Sequence, residues 1–164
     1  MLSVAIVGAS GYAGAELVRL VVGHPDLTLH SLAAGSNSGA RLADIHPQFA
    51  ADPDVGSRLL ESTNAAALAG ADLIFTALPH GQSAALVAEL DPQQPVIDLG
   101  ADFRLAHATD WERYYGGNYA GQWIYGLPEL PGQREAIAAS IRVANPGCYA
   151  TALQVGLAPL LADD

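Results

Sequence analysis

The chain has 164 residues, 51% of them hydrophobic and 15% charged, which describes a packed globular protein with one core. Its formal net charge is −10 with only seven Lys plus Arg, so it lacks the basic footprint that a nucleic-acid binder requires. No apolar run reaches the roughly 18–20 residues of a membrane span, and the opening "MLSVAIVG" has no basic start of a signal peptide; a cytoplasmic location is expected.

Residues 3–7 form a short apolar run rich in β-branched side chains and closed by glycine, which predicts a buried strand. "GASGYAG" follows, then "AELVRLVVGHP", where Ala13, Leu17, Leu20 and Val21 recur at helical spacing and Gly23 and Pro25 stop the helix. A second apolar run at 27–33 makes strand–helix–strand, hence a parallel pair. Residues 34–57 read as a loop with one helical turn near 40–45, and a weak strand is expected over 58–61. "STNAAALAG" predicts a small helix capped by Ser62 or Thr63. A buried strand over 72–78, a helix in "GQSAALVAEL" ending at Asp91-Pro92, and a strand in "PVIDLG" follow. This order predicts an α/β fold, a Rossmann-like, doubly wound and mainly parallel sheet.

After Gly100 aromatics cluster between Phe103 and Tyr125. "YGLPELPG" reads as a turn-rich loop, "REAIAAS" as a helix and "IRVAN" as the last strand. "CYATALQVGLAPLLA" reads as a helix that is apolar nearly all round, a pattern that calls for burial on several sides.

Two turns carry chemistry. The first holds Gly8, Gly11 and Gly14 between a strand and an amphipathic helix. A pyrophosphate bound there needs a tight turn, close backbone approach and the free N–H groups of a helix N-terminus. Ser10, Tyr12 and Ala13 belong to the same turn and complete the expected cofactor contacts. The alternative is a glycine-rich turn that binds nothing. Past the second strand, "AAGSNSGAR" holds no Asp or Glu for a ribose 2′-hydroxyl. It holds Ser36, Ser38 and Arg41, which suit a 2′-phosphate, so NADP is the expected cofactor; Arg41 as an ordinary solvated arginine remains open.

The second turn is "VANPGCYAT". The chain's single cysteine, Cys148, has no partner for an internal disulfide. It is either a buried small hydrophobe or a reactive thiol. Gly147 permits a sharp turn, and Cys148 then opens a helix, where the dipole and free N–H groups favour a thiolate. A nucleophilic thiol beside a nicotinamide cofactor suits reduction of an activated acyl group through a thioester.

The blocks "GASGYAGAELVRL", "ALPHGQSA", "IDLGADFRL", "WERYYGG", "YGLPEL" and "VANPGCYATALQVGLAP" resemble the N-acetyl-γ-glutamyl-phosphate reductase family, in the family's order and over nearly the whole chain. The resemblance implies NADPH-dependent reduction of N-acetyl-glutamyl 5-phosphate to the semialdehyde in arginine biosynthesis, with Cys148 as the thioester-forming nucleophile. It implies NADP on the turn from Gly8 to Gly14, with Ser36 and Arg41 near the 2′-phosphate. Leu78, Pro79 and His80 follow the fourth strand and lie beside the cofactor ribose, unless His80 simply caps the next helix. Arg104 faces the active site, suited to a substrate carboxylate or phosphate, unless it pairs with Asp98 or Asp102. No metal site is expected.

The resemblance also implies a longer protein. Residues 1–147 are the expected NADP-binding domain, and 148–164 an active-site helix leading into an absent α+β catalytic and dimerisation domain. That domain carries the general acid–base histidine, and the full-length enzyme is a homo-oligomer. The chain is therefore expected to be an N-terminal fragment with weak catalysis at most. Related acyl-phosphate reductases of the aminoadipate or aspartate type, a non-catalytic NADP-binding module and a cysteine hydrolase are the alternative readings.

Overall fold

A computed structural model describes residues 1–161. The first strand, β1 (Leu2–Val7), carries Val4, Ala5, Ile6 and Val7 wholly out of solvent. Alternation along the strand sends Val4 and Ile6 into one core cluster with Leu17, Val18 and Leu32. It sends Ala5 and Val7 into a second with Ile74, Leu86 and Val96. A strand apolar on both faces is what a sheet covered by helices on both sides requires.

Helix α1 (Tyr12–Val22) follows and buries Gly14, Ala15, Leu17, Val18 and Val21 as one stripe. Strand β2 (Leu27–Ala34) then lies parallel to β1. Beyond it come α2 (Leu42–Ile45), a 3-10 turn at Pro47–Ala51, α3 (Pro53–Gly56), β3 (Glu61–Ser62), α4 (Ala65–Leu68) and β4 (Leu73–Thr76). The second half contains α5 (Ser83–Ala88), β5 (Val96–Asp98), α6 (Ala108–Tyr114), β6 (Ile124–Tyr125), α7 (Gln133–Ala138), β7 (Arg142–Ala144) and α8 (Cys148–Leu161). The seven strands form one sheet in the order β3-β2-β1-β4-β5-β7-β6, every pairing parallel. This is the expected doubly wound α/β sheet. The order reverses between β1 and β4, which makes the crevice where such sheets bind ligands at their strand C-termini.

Several elements differ from expectation. Residues 34–57 are more ordered than a loop. Asp52 accepts hydrogen bonds from the backbone N–H of Asp54 and Val55 and so starts α3, while Leu42, Phe49 and Val55 pack under α1. These turns are held by burial and one cap, not by helical periodicity, so no long-window pattern marks them. The strand expected over 58–61 forms at Glu61–Ser62. Neither Ser62 nor Thr63 caps α4; Asn64 does, accepting from the Ala67 N–H at 3.0 Å. Ser62 is instead the end of β3, its Oγ 3.0 Å from Ser38 Oγ. Strand β6 overlaps the start of the loop expected in "YGLPELPG"; a two-residue strand has no period to detect.

Candidate active site

The glycine turn is built by close backbone approach. Gly8 has φ +85°, and a Cβ there would stand 2.2 Å from the Ala77 carbonyl oxygen. A Cβ on Gly14 would stand 2.2 Å from the Gly8 carbonyl oxygen. Both glycines are therefore required to bring α1, β1 and the end of β4 together. Gly11 is the N-cap of α1 and supplies no capping side chain, so the helix offers its first N–H groups to an incoming acceptor. Behind the turn, the buried His46 donates from Nε2 to the Ala9 carbonyl at 3.1 Å, anchoring it to the segment after α2.

This turn opens on a cleft of about 710 Å³. Gly8, Ser10, Gly11, Tyr12 and Ala13 form one wall, Gly35, Ser36 and Thr63 lie at the ends of β2 and β3, and Ala77, Leu78 and Pro79 follow β4. Gln82, Ala85, Leu86 and Glu89, one face of α5 at helical spacing, close the remaining side. The residues expected at a cofactor are thus largely assembled here. Gly14 stays behind the turn, buried. Arg41 does not line the cleft; it is exposed and its backbone bridges to Leu59.

A second cleft, of about 970 Å³, holds the thiol. Its lining includes Ala13, His80, Arg104, Tyr115, Tyr125, Gln154 and residues 145–150. Cys148 is exposed at the first position of α8, which excludes the buried-hydrophobe reading. The helix start is fixed by Thr151, whose N–H and Oγ1 both donate to the Gly147 carbonyl, at 2.8 and 2.9 Å.

Arg104 pairs with neither Asp98 nor Asp102. Its Nε donates to the Asn145 carbonyl at 2.8 Å and its Nη2 to the Leu99 carbonyl at 2.6 Å. The guanidinium thereby straps the end of β5 to the turn that presents Cys148. Its Nη1 makes no hydrogen bond among the described residues and lies 3.1 Å from where a Gly147 Cβ would be. A side chain at Gly147 would displace this strap.

Residues 78–81 separate the two clefts. Leu78 and Pro79 face the first and His80 the second, where its ring meets Tyr115 edge-on at 5.2 Å between centroids; Ala13 borders both. His80 does not cap α5. The cap comes from Asp102, 1% exposed, whose carboxylate accepts from the Gly81 N–H at 2.6 Å and the Ala84 N–H at 3.0 Å. Asp98, fully buried, accepts from Thr76 Oγ1 at 2.7 Å and the Gly100 N–H at 3.1 Å, joining β4 to β5. Thr63, Gln82, Glu89 and the bracing role of Asp102 were missed in the sequence. Their only signal is a helical face or a nearby acid in "GADFR", and neither pattern says which cleft it serves.

Comparison with known proteins places this geometry among relatives. A family model described as semialdehyde dehydrogenase, NAD binding domain, matches residues 3–140. N-acetyl-gamma-glutamyl-phosphate reductase of Salinispora arenicola is 61% identical over 160 residues, covering 97% of this chain and 46% of that protein. The protein of the same name from Thermobifida fusca is 50% identical over 159 residues, again 97% of this chain and 46% of the relative. The chain thus spans about half the length of the curated relatives it matches. Among solved structures, aspartate semialdehyde dehydrogenase with NADP from Candida albicans superposes with a TM-score of 0.69 at 14% identity, covering 99% of this chain and 47% of that one. At that identity the likeness concerns the fold. Among the described residues, no helix is long and apolar enough to cross a membrane.

Proposed function

The chain belongs to the semialdehyde dehydrogenase family, as its NAD-binding domain, and from that premise we propose that it is the dinucleotide-binding and thiol-bearing part of an acyl-phosphate reductase. The observation that carries the reading is the adjacency of the two clefts. An exposed thiol at a helix start faces one, a glycine cradle faces the other, and Ala13 borders both.

The chain's own residues suit the dinucleotide. At Gly8 and Gly14 any Cβ would collide with backbone, so these glycines let the turn close tightly, and the start of α1, which has no side-chain cap, leaves its first N–H groups for a diphosphate. Ser36, just past β2 on the cleft wall, offers a hydroxyl that can donate to an NADP 2′-phosphate, with exposed Arg41 following in the same loop. The bound dinucleotide supplies the hydride that reduces the acyl carbon.

Cys148 Sγ, once its proton is given up to solvent, attacks the carbonyl carbon of the acyl phosphate. The C–O bond to phosphate breaks, phosphate leaves with the electron pair, and a thioester forms. The backbone N–H groups at the start of α8 stabilise the oxyanion. After reduction the C–S bond breaks and Sγ departs as thiolate, leaving an aldehyde. Arg104 holds the turn that aims Sγ and keeps Nη1 toward an anionic substrate. The substrate that the names of the relatives support is N-acetyl-glutamyl 5-phosphate.

The same reading divides the chain into a cofactor-binding part, 1–147, and an active-site helix from Cys148. It extends to a cytoplasmic homo-oligomer, in keeping with a free cysteine and with the exposed apolar side chains of α8. Iodoacetamide labelling of Cys148 against pH, with and without NADP, tests the central claim. Rapid labelling at neutral pH that NADP alters is expected. Labelling confined to pH above the ordinary thiol range and indifferent to NADP refutes it.

A further inference from the structure

The first cleft has one feature that phosphate binding does not explain. Among the described residues that line it, the only carboxylate is Glu89 and none is Lys or Arg. Glu89 is exposed, and its carboxylate makes no hydrogen bond or ion pair among the described residues. A carboxylate beside a phosphate would oppose binding, whereas one beside a hydrogen-bond donor of the dinucleotide would favour it.

Its place selects which donor. Residues 82–89 span α5 from N-cap to C-cap, so Glu89 stands about 10 Å along the helix axis from Gln82. Gln82 is beside the loop that leads to the thiol cleft, where the reacting ring of the cofactor has to lie. Glu89 is therefore at the opposite end, with the apolar Ala85 and Leu86 forming the intervening wall. A planar base fits against that wall. The donor that a dinucleotide offers at this end, apart from its ribose hydroxyls, is the exocyclic amine of adenine.

Resting on the dinucleotide reading above, we propose that Glu89 is a specificity-determining residue that accepts a hydrogen bond from the adenine 6-amino group, with Leu86 packing the base. The cleft thereby selects adenine over bases with an acceptor at that position.

The test compares binding of NADP and its 6-deamino (hypoxanthine) analogue to the chain and to Glu89→Gln and Glu89→Ala, by titration calorimetry. In the analogue a carbonyl oxygen replaces the amine and faces the carboxylate. The unaltered chain should favour NADP by about tenfold, the scale of one hydrogen bond to a charged group. Glu89→Gln, whose amide can donate to that oxygen, should bring the two affinities close to equal, and Glu89→Ala should shrink the ratio similarly. Equal affinities in the unaltered chain, or a preference that survives both substitutions, overturn the proposal and leave the dinucleotide reading standing. Failure of both nucleotides to bind the unaltered chain overturns the dinucleotide reading and the proposal with it.

Discussion

Helices α1 and α8 both start at a glycine turn and both are rich in apolar residues, yet they sit in opposite environments. In α1 a single stripe, with Val18 wholly buried, packs onto β1 and β2. In α8 no residue is buried, and Leu160 is 74% exposed. Apolar content alone thus does not determine burial. A helix is buried when its apolar positions share a face and a neighbouring sheet offers a matching surface. The Thr151 bonds to Gly147 close the first turn of helix α8, and a long 3.5 Å contact from Gln154 Nε2 to the Tyr125 hydroxyl links the following turn to β6. Those turns are the ones that present Cys148.

The largest expected break in this comparison is Gly14→Ala. Its Cβ meets two backbone segments, the Gly8 oxygen at 2.2 Å and the Ala9 Cα at 2.7 Å, neither of which can yield. A loss beyond about 4 kcal/mol is expected, measured as the shift of the urea unfolding midpoint, together with loss of NADP binding. A loss below about 1 kcal/mol would show that the turn relaxes easily.

The contrast itself is sharpened by a matched pair. Leu32→Ala, at a position 1% exposed, should cost about 3 kcal/mol through lost transfer energy and the cavity left behind. Leu160→Ala in α8 should change stability by less than about 0.5 kcal/mol. Equal effects in parallel urea titrations would mean that α8 is packed after all.

A step lower is Asp102→Ala, which strands the Gly81 and Ala84 N–H groups at the start of α5. About 2 kcal/mol of destabilisation is expected. The rate of Cys148 alkylation in the presence of NADP should also approach the rate without it, because residues 78–81 no longer hold the two clefts in register. An NADP effect of undiminished size would remove Asp102 from the site's architecture.

The smallest effect lies at the N-terminal ends of the central strands β1 and β4, away from both clefts. The Ser3 backbone N–H and hydroxyl both donate to Asp72 Oδ2 at 2.7 Å, and they hold this carboxyl below its ordinary value of 3.8. A carboxyl whose folded value is depressed stabilises the fold above its unfolded value, and that contribution is lost as pH falls through the folded value. Asp72→Asn should therefore lower stability slightly at pH 7 and flatten its decline below pH 3.8. Parallel pH–stability curves for the two proteins would contradict this.

The strand–glycine turn–helix opening, the alternation of βα units and the position of a lone thiol at a helix start are all legible in the order of the residues. Each of these is a local pattern, in which the period of apolar residues, the backbone freedom of glycine and the turn chemistry act over a few neighbours. It took the assembled fold to reveal that Asp102 caps α5, that Arg104 braces the Cys148 turn from 44 positions earlier in the chain, that Arg41 stays off the cleft wall and that Glu89 lines it. A carboxylate or guanidinium carries no mark in the sequence of which distant backbone group it will meet. Its partner is chosen when the parallel sheet brings the C-terminal ends of strands far apart in sequence to one edge.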